Sequence, residues 1–373
     1  MMQVDYAKQP FLVIWESTRA CDLACLHCRA EADSTRDPEE LSTGEAKKLI
    51  RDVQSMGTPI FIISGGDPLK RPDLIELVRY SKESGLRTGT IPAVTPLLVP
   101  ERIDELKSAG LDQIAFSLDA ADPAAHDAFR RTEGVFERTI KSVEYANRIG
   151  LNVQINSLVN VHNTESLEAL ITLVRRLKIV FWEVFFLVPT GRGRELELIS
   201  AAKFDAAFDL IYRLHREAEF VIKVTEAPHY RKYFVDREEA GQGAASSMVR
   251  SGAMPGAIGR VHGPGGSLGR APQGVNSGKG FLFVSHKGEI MPSGFLPITA
   301  GNVRTVTLGE IYRGHSLFKD LRDTALLKGK CGRCSFKEMC GGSRARAYAL
   351  TGDYLAEEPC CSYEPPRGDG GAE

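Results

Sequence analysis

The sequence predicts an α/β fold: a parallel sheet flanked by helices, followed by a smaller unit of a β-hairpin and short helices. Three observations carry that expectation. First, six apolar runs, F-L-V-I-W from Phe11, P-I-F-I-I-S from Pro59, R-T-G-T-I from Arg87, Q-I-A-F-S-L from Gln113, N-V-Q-I-N-S-L-V from Asn152 and F-W-E-V-F-F-L-V from Phe181, are separated by stretches of helical periodicity. Parallel neighbours need a crossover and a helix is the usual one, so strand–helix units in series give a parallel sheet with its helices outside. Second, glycine, serine and alanine replace this pattern between residues 236 and 280. Third, two alternating runs around Lys287-Gly288 read as a hairpin. Periodicity by itself fits a barrel and an open doubly wound sheet equally.

The helical stretches have their own local reasons. Leu49, Val53 and Met56 recur at helical spacing, as do Leu74, Leu77 and Val78, and Ser42 with Glu45 reads as a capping box. A chain of 373 residues, 43% hydrophobic and 25% charged, can bury one large core and a smaller one. The expected division is 1–225, a connector or lid over 226–280, and 281–373. The connector, with G-Q-G-A-A-S-S and G-P-G-G-S-L-G, offers too little apolar surface to offset its chain entropy, so it is expected to be partly flexible.

Composition also excludes some functions. A formal net charge of -1 leaves no basic footprint for nucleic acid, and Arg175-Arg176 reads as a solvated helix face. No apolar run approaches the roughly 18–20 residues of a spanning helix, so no membrane is expected. The start, M-M-Q-V-D-Y, lacks the basic-then-apolar pattern of a signal peptide. A cytoplasmic protein is expected, and there its eight cysteines, in two groups, read as metal ligands rather than disulfides.

The first group is C-D-L-A-C-L-H-C, with Cys21, Cys25 and Cys28 directly after the first strand. A structural zinc takes four protein ligands, whereas a cubane iron–sulfur cluster can be held by three thiolates and keep its fourth iron open. Free buried thiols or a shared zinc site are the plainer alternative. After the second strand, S-G-G-D-P-L places two glycines where backbone can approach a ligand, and Asp67 adds a carboxylate able to accept from an ammonium; G-G-D-P is also a common turn. Ser117 and Asp119 share a face at the end of the fourth strand, with Asn156 and Thr90 of similar standing, although Asp119 could equally cap the next turn. P-T-G-R-G-R aims Arg192 and Arg194 at the same mouth, suited to carboxylates unless the loop is simply basic surface. T-E-A-P-H-Y-R-K supplies Glu226, His229, Tyr230 and Arg231 as acid–base candidates, the histidine being more often structural in such a setting. The second group, Cys331, Cys334 and Cys340 with Cys360 and Cys361 later, supplies four thiolates for a closed site in which zinc and a cluster compete.

The C-x3-C-x2-C spacing, with His27 before the last cysteine, resembles the signature of the radical S-adenosylmethionine (SAM) superfamily, and G-G-D-P resembles its G-G-E motif with Asp67 in place of glutamate. The resemblance implies a partial (β/α)6 TIM-like barrel with its site at the carboxyl ends of the strands. It implies a [4Fe-4S] cluster on Cys21, Cys25 and Cys28, and SAM bound by Gly65, Gly66, Asp67 and Pro68 with His27, Ser117, Asp119 and Asn156 on the cofactor wall. A reduced flavodoxin- or ferredoxin-type donor would drive cleavage of SAM to a 5′-deoxyadenosyl radical that takes a hydrogen from the substrate.

The C-terminal part is similar to the SPASM or shorter twitch extension, which implies one auxiliary [4Fe-4S] cluster on Cys331, Cys334, Cys340 and Cys361. Cys361 matches the related ending of proline, one residue, cysteine, and Cys360 is the alternative. Asn276 and Ser293 stand where a full two-cluster SPASM domain has thiols, and in C-G-G-S-R-A-R-A-Y Ser343 replaces a cysteine of the heme-pathway decarboxylases. F-F-L-V-P-T-G-R-G resembles the stretch in radical SAM enzymes that edit the acidic side chains of heme-type precursors, which would give Arg192 and Arg194 carboxylates to bind. The expected function is maturation of a heme-type cofactor precursor, with modification of a ribosomally made peptide or protein as the second reading. A non-catalytic iron–sulfur carrier or scaffold is the reading of another class, and it would need neither the G-G-D-P loop nor SAM.

Overall fold

A computed structural model describes residues 4–241 and 274–366. Most of the expected connector, residues 242–273, lies outside the described residues. The strands are β1 (Leu12–Glu16), β2 (Ile60–Ser64), β3 (Arg87–Thr90), β4 (Gln113–Ser117), β5 (Asn152–Val159), β6 (Phe181–Phe186), β7 (Val221–Thr225), β8 (Phe281–Val284), β9 (Glu289–Met291) and β10 (Gly301–Asn302). The helices are α1 (Thr43–Ser55), α2 (Leu74–Glu83), α3 (Pro100–Ser108), α4 (Pro123–Arg130), α5 (Val135–Arg148), α6 (Leu167–Arg176), α7 (Ala201–His215) and α8 (Tyr230–Gly241), then α9 (Leu308–Gly314), α10 (Ser316–Asp320), α11 (Gly329–Arg333) and α12 (Arg344–Thr351). Among the described residues no helix is long and apolar enough to cross a membrane.

All strands belong to one sheet in the order β10-β9-β8-β1-β2-β3-β4-β5-β6-β7. From β8 to β7 every pairing is parallel; β9 and β10 are antiparallel. The six expected units are β1 to β6, and two further parallel strands extend them. β7 lies in the run F-V-I-K-V-T, where Lys223 and Thr225 interrupt the apolar period. The other is the first strand of the C-terminal hairpin, β8, which pairs with β1 in the register Leu12↔Phe281. No local pattern announces a pairing across that sequence separation.

Side chains alternate across this sheet because strand residues point to opposite faces in turn. Val13, Trp15, Phe61, Ile63, Ile114, Phe116, Val153, Ile155, Trp182 and Val184 form the core with the outer helices. The intervening residues face inward and line an interior chamber. Its wall is apolar along β1 and β2, at Leu12, Ile14, Ile60 and Ile62, and polar along β4 to β7, at Gln113, Gln154, Glu183, Lys223 and Thr225. α1 carries the expected capping box between Ser42 and Glu45 and packs Leu49, Ile50 and Val53 inward.

The C-terminal unit is tied to the barrel by more than β8. The Tyr312 hydroxyl donates to the Tyr6 carbonyl (2.8 Å) and accepts from the Gly280 amide (3.0 Å), joining α9 to the chain entering β1 and β8. Tyr312→Phe removes the hydroxyl that the buried Gly280 amide donates to, which costs about 1–3 kcal/mol. The expected outcome is a lower urea midpoint with an unchanged m-value under anaerobic conditions; an unchanged midpoint would show that the clamp carries no stability.

Candidate active site

The carboxyl ends of the strands open into a cleft lined by Cys21, Cys25, His27 and Cys28, by Ser64, Gly65 and Gly66, and by Ser117, Asp119 and Asn156. The three cysteines sit on a loop without regular structure, so its shape depends on what surrounds it. Glu16, the last residue of β1, is buried and pairs with both Arg29 and His286 (Nδ1 to Oε1, 3.1 Å). Burial pushes the Glu16 carboxyl up, but Arg29 and His286 outweigh it and hold the group below its ordinary range. Arg29 also donates to the Gly294 carbonyl (3.3 Å) and stacks over Phe283 at 4.6 Å, which fastens the end of the cysteine loop to the hairpin.

Close backbone packing does the rest. A Cβ on Gly65 would stand 2.7 Å from the Thr18 carbonyl oxygen and one on Gly66 2.5 Å from that of Arg19, so these glycines let the loop after β2 lie directly on the chain leading into Cys21. The Gly66 amide donates to Thr18 O and the Asp67 amide to Ala20 O, both at 2.7 Å. From the other side Gly191, at φ +55, approaches so closely that a Cβ would stand 2.5 Å from Cys28 O and 2.4 Å from Arg29 O.

Several expected side-chain roles change with these contacts. The Asp67 carboxylate is turned away from the cleft: it is fully buried and accepts from Leu69 N (3.1 Å) and Thr95 Oγ1 (2.8 Å), capping the turn that begins at Pro68. Burial raises its pKa to about 6. Of the S-G-G-D-P loop, Ser64, Gly65 and Gly66 face the cleft, while Asp67 and Pro68 lie behind it. Arg192 is likewise spent on the loop, donating through Nε to Cys25 O (3.0 Å) and through Nη1 to Ala32 O (3.3 Å), and Arg194 is solvent-exposed. Neither arginine lines the cleft, because the tight Gly191 approach turns the strand end against the cysteine loop instead of over the mouth. Thr90 donates to Ile63 O and lines the chamber below.

Asp119 lines the cleft but is engaged from several sides. It pairs with Arg130 (Nε to Oδ2, 2.8 Å) and accepts from Leu158 N (2.9 Å), while Arg130 Nη1 reaches Cys25 Sγ at 3.7 Å. Burial would raise its pKa, but Arg130 and its other neighbours hold it low. His27 stacks on Phe129 at 4.7 Å, and burial with the Arg130 charge lowers its pKa to about 3, leaving it neutral. Asn156 accepts from Gln154 Nε2 (2.7 Å), which also donates to Glu183 (3.0 Å); Glu183 in turn accepts from Lys223 (2.8 Å) and Thr225 (2.7 Å). This polar chain runs from the cleft down into the chamber, and Ile91, Phe185 and Phe295 line both spaces.

The second cysteine group surrounds its own cavity, lined by Cys331, Cys334, Cys340 and Cys361 together with His229, Lys232, Lys330, Lys337 and Glu358. Cys360 does not line it and lies buried beside Glu358, whose Oε1 accepts from the Cys360 amide (3.1 Å). Backbone amides point at the sulfurs: Glu358 N to Cys331 (3.3 Å) and Gly342 N to Cys340 (3.5 Å). Ser343 caps α12 and donates to Glu226, and the fully buried Arg346 pairs with Glu358 at 3.0 Å. Glu226 itself has a left-handed backbone at φ +59.

Both groups fit iron–sulfur clusters by their donor chemistry. Burial pushes the thiols of Cys21 and Cys340 up to about 12 and that of Cys361 to about 11, so the bare sulfurs are poor anions. Bound cations reverse this and make thiolates of them, and amides aimed at sulfur are the contacts that tune such clusters. Among the described residues no three His, Cys, Asp or Glu side chains are gathered as ligands of a single metal ion would be.

Residues 15–177 match the family model described as the Radical SAM superfamily. The chain is 40% identical over 356 residues, 95% of its length and 97% of the relative's, to the "AdoMet-dependent heme synthase" of Methanosarcina barkeri. It is 40% identical over 358 residues to the protein of that name from Nitratidesulfovibrio vulgaris, covering 95% of this chain and 93% of the other. The chain belongs to the radical SAM superfamily. Its fold is also that of Streptococcus suis SuiB bound to S-adenosylmethionine, with a TM-score of 0.70 at 16% identity over 95% of this chain and 78% of SuiB.

As a radical SAM enzyme the chain works with a [4Fe-4S] cluster, SAM and a reductant. Sequence reasoning missed the residues that shape the cysteine loop, Glu16, Arg29 and Arg130, because a buried charge has no local pattern; only Glu16, at the end of the apolar run L-V-I-W, carried a hint of burial. Gly191→Ala adds a Cβ 2.4 Å from a carbonyl oxygen in a backbone at φ +55. The expected result after anaerobic reconstitution is loss of the iron held by the cysteine loop, with native circular dichroism. Wild-type iron content in the folded variant would show that Gly191 is no clamp.

Proposed function

We propose that this radical SAM enzyme matures a heme-type cofactor precursor by removing carboxyl groups from its acidic side chains. Supporting this is the junction of two spaces: a cleft holding Cys21, Cys25 and Cys28, continuous along Ile91, Phe185 and Phe295 with a chamber that is apolar on one wall and polar on the other. A flat, mainly apolar macrocycle with carboxylate-ended arms matches that division of walls. The full-length likeness to proteins named heme synthases points the same way.

In this reading Cys21, Cys25 and Cys28 hold the reductive cluster, while the backbone of Gly65 and Gly66 with Ser117 and Asn156 forms the SAM wall. Cluster and SAM together supply a 5′-deoxyadenosyl radical when reduced by an outside donor, of flavodoxin or ferredoxin type. The chain's own residues orient and protect. Phe185 and Phe295 keep water from the junction, where a carbon radical would otherwise be quenched. Lys223, held by Glu183, offers the polar wall a cation for a substrate carboxylate.

The electron count asks for a second site. Removing a hydrogen atom from the carbon next to the CH2–COO⁻ group leaves a radical; cleavage of the C–C bond then gives a C=C bond, CO2 and one surplus electron. Arg231 and Asn276 line the chamber and donate to the backbone of the other cysteine loop, at Met339 O (2.8 Å) and Gly342 O (2.8 Å). Cys331, Cys334, Cys340 and Cys361 would hold an auxiliary [4Fe-4S] cluster, which would supply an acceptor for that electron. Free cysteines throughout the chain fit a reducing compartment, the cytoplasm.

The test is anaerobic reconstitution with iron and sulfide, then dithionite, SAM and an iron porphyrin with intact carboxylate side chains. Expected are about eight irons per chain on two cubanes, with CO2 released in step with 5′-deoxyadenosine; both products vanish in the Cys21, Cys25, Cys28→Ala variant. Cys361→Ser should lose the auxiliary iron and Cys360→Ser should keep it. SAM cleavage without CO2 from the porphyrin, but with turnover of a peptide, would replace this reading by peptide maturation. No SAM cleavage by fully loaded protein would favour a non-catalytic carrier.

A further inference from the structure

We propose that His229 is a hydrogen-bond donor to the auxiliary cluster, its ring N–H directed at a cluster sulfur so that it raises the cluster's reduction potential. The inference rests on the reading that Cys331, Cys334, Cys340 and Cys361 hold that cluster. His229 follows Pro228 in the turn between β7 and α8, and it lines the same cavity as the four cysteines. It is 5% exposed, and neither ring nitrogen has a hydrogen-bond partner.

Leaving such a group unpaired costs about 1–3 kcal/mol, so a buried imidazole with two orphaned nitrogens needs an explanation. Among the described residues it is the one histidine whose ring nitrogens are both buried and unpartnered. Buried histidines elsewhere use at least one nitrogen: His126 Nδ1 accepts from Asp119 N, His215 Nδ1 meets the Tyr230 hydroxyl, and His286 Nδ1 meets Glu16. The carbon faces of His229 pack on Phe204 and Phe208, with centroids 5.3 and 5.0 Å away, contacts that a phenylalanine would make equally well. Packing therefore explains the ring but not its nitrogens.

Every other charged side chain on that wall has a partner. Lys330 donates to Cys361 O (2.6 Å), Lys337 to Gly332 O (3.1 Å), and Lys232 lies over the rings of Tyr363 and Phe336 at 3.8 and 5.1 Å. Glu358 serves Arg346 and the amides of Ser343 and Cys360. His229 is the wall's buried ring with no partner at either nitrogen, in a cavity where backbone amides already point at sulfur. Such hydrogen bonds stabilise the more negative, reduced cluster and so raise its potential.

The experiment uses the full chain with Cys21, Cys25 and Cys28→Ala, so that only the auxiliary cluster gives a signal, grown with ring-15N histidine and reconstituted with iron and sulfide. Pulsed EPR of the reduced protein should show a weak histidine nitrogen coupling that changes with the isotope and is lost in His229→Phe. At a fixed potential the reduced-to-oxidised ratio should fall about tenfold in His229→Phe, equivalent to ~59 mV for one electron. His229→Gln, which keeps an N–H donor, should recover most of it. The isotope effect in the parent chain needs no substitution at His229, so a His229 variant that fails to fold leaves the test intact. A loaded cluster with no isotope effect and no shift would overturn the inference, as would a strong coupling with loss of the cluster in His229→Phe, the mark of a ligand. A parent chain that takes up no iron at this site would instead overturn the auxiliary-cluster reading.

Discussion

The buried pairing of Glu16 with Arg29 is the contact on which the cleft depends, because it joins the end of β1 to the end of the cysteine loop. Between those residues the chain has almost no hydrogen-bonded regularity, so its path is set by neighbours. Glu16 also meets His286 of the hairpin, and Arg29 reaches Gly294, so one ionic group aligns the first strand, the loop and the C-terminal unit. Removing one partner of such a pair leaves an uncompensated buried charge, which is why its geometry is strongly held.

The same economy appears on the other two sides of the loop. Asp119 anchors Arg130, whose guanidinium faces Cys25, and Gly65, Gly66 and Gly191, after the second and sixth strands, press backbone against backbone. The motif glycines thus shape the cysteine loop first and the ligand surface second. Conserving space for a carbonyl oxygen is a stricter demand than offering an amide to a ligand, since a Cβ at these positions meets atoms that cannot move aside.

At the C-terminal end, Arg346 and Glu358 do for the second cysteine group what Glu16 and Arg29 do for the first. Arg346 also donates to Leu187 O (3.1 Å) at the end of β6, and Ser343 bonds Glu226 at the end of β7. Ser343 is therefore a helix cap and a bridge to the barrel. The cleft of the first cysteine group shares Ile91, Phe185 and Phe295 with the interior chamber, and Arg231 and Asn276 of that chamber bond the backbone of the second cysteine loop.

Residue order alone determined the strands β1 to β6, the helices between them, both cysteine groups and the hairpin, because each rests on short-range periodicity or on spacing within a few residues. The resemblance of the ending, and not the residue order, favoured Cys361 over Cys360; of the two, Cys361 lines the cavity. Tertiary structure decided the rest. That β8 joins β1, that Asp67 turns inward to Thr95, that Arg192 holds the cysteine loop and that His229 faces the second cysteine cavity all depend on contacts between residues far apart in the chain. A side chain's neighbours across such distances are fixed by packing and by the need to pair every buried charge, and neither leaves a period in the sequence.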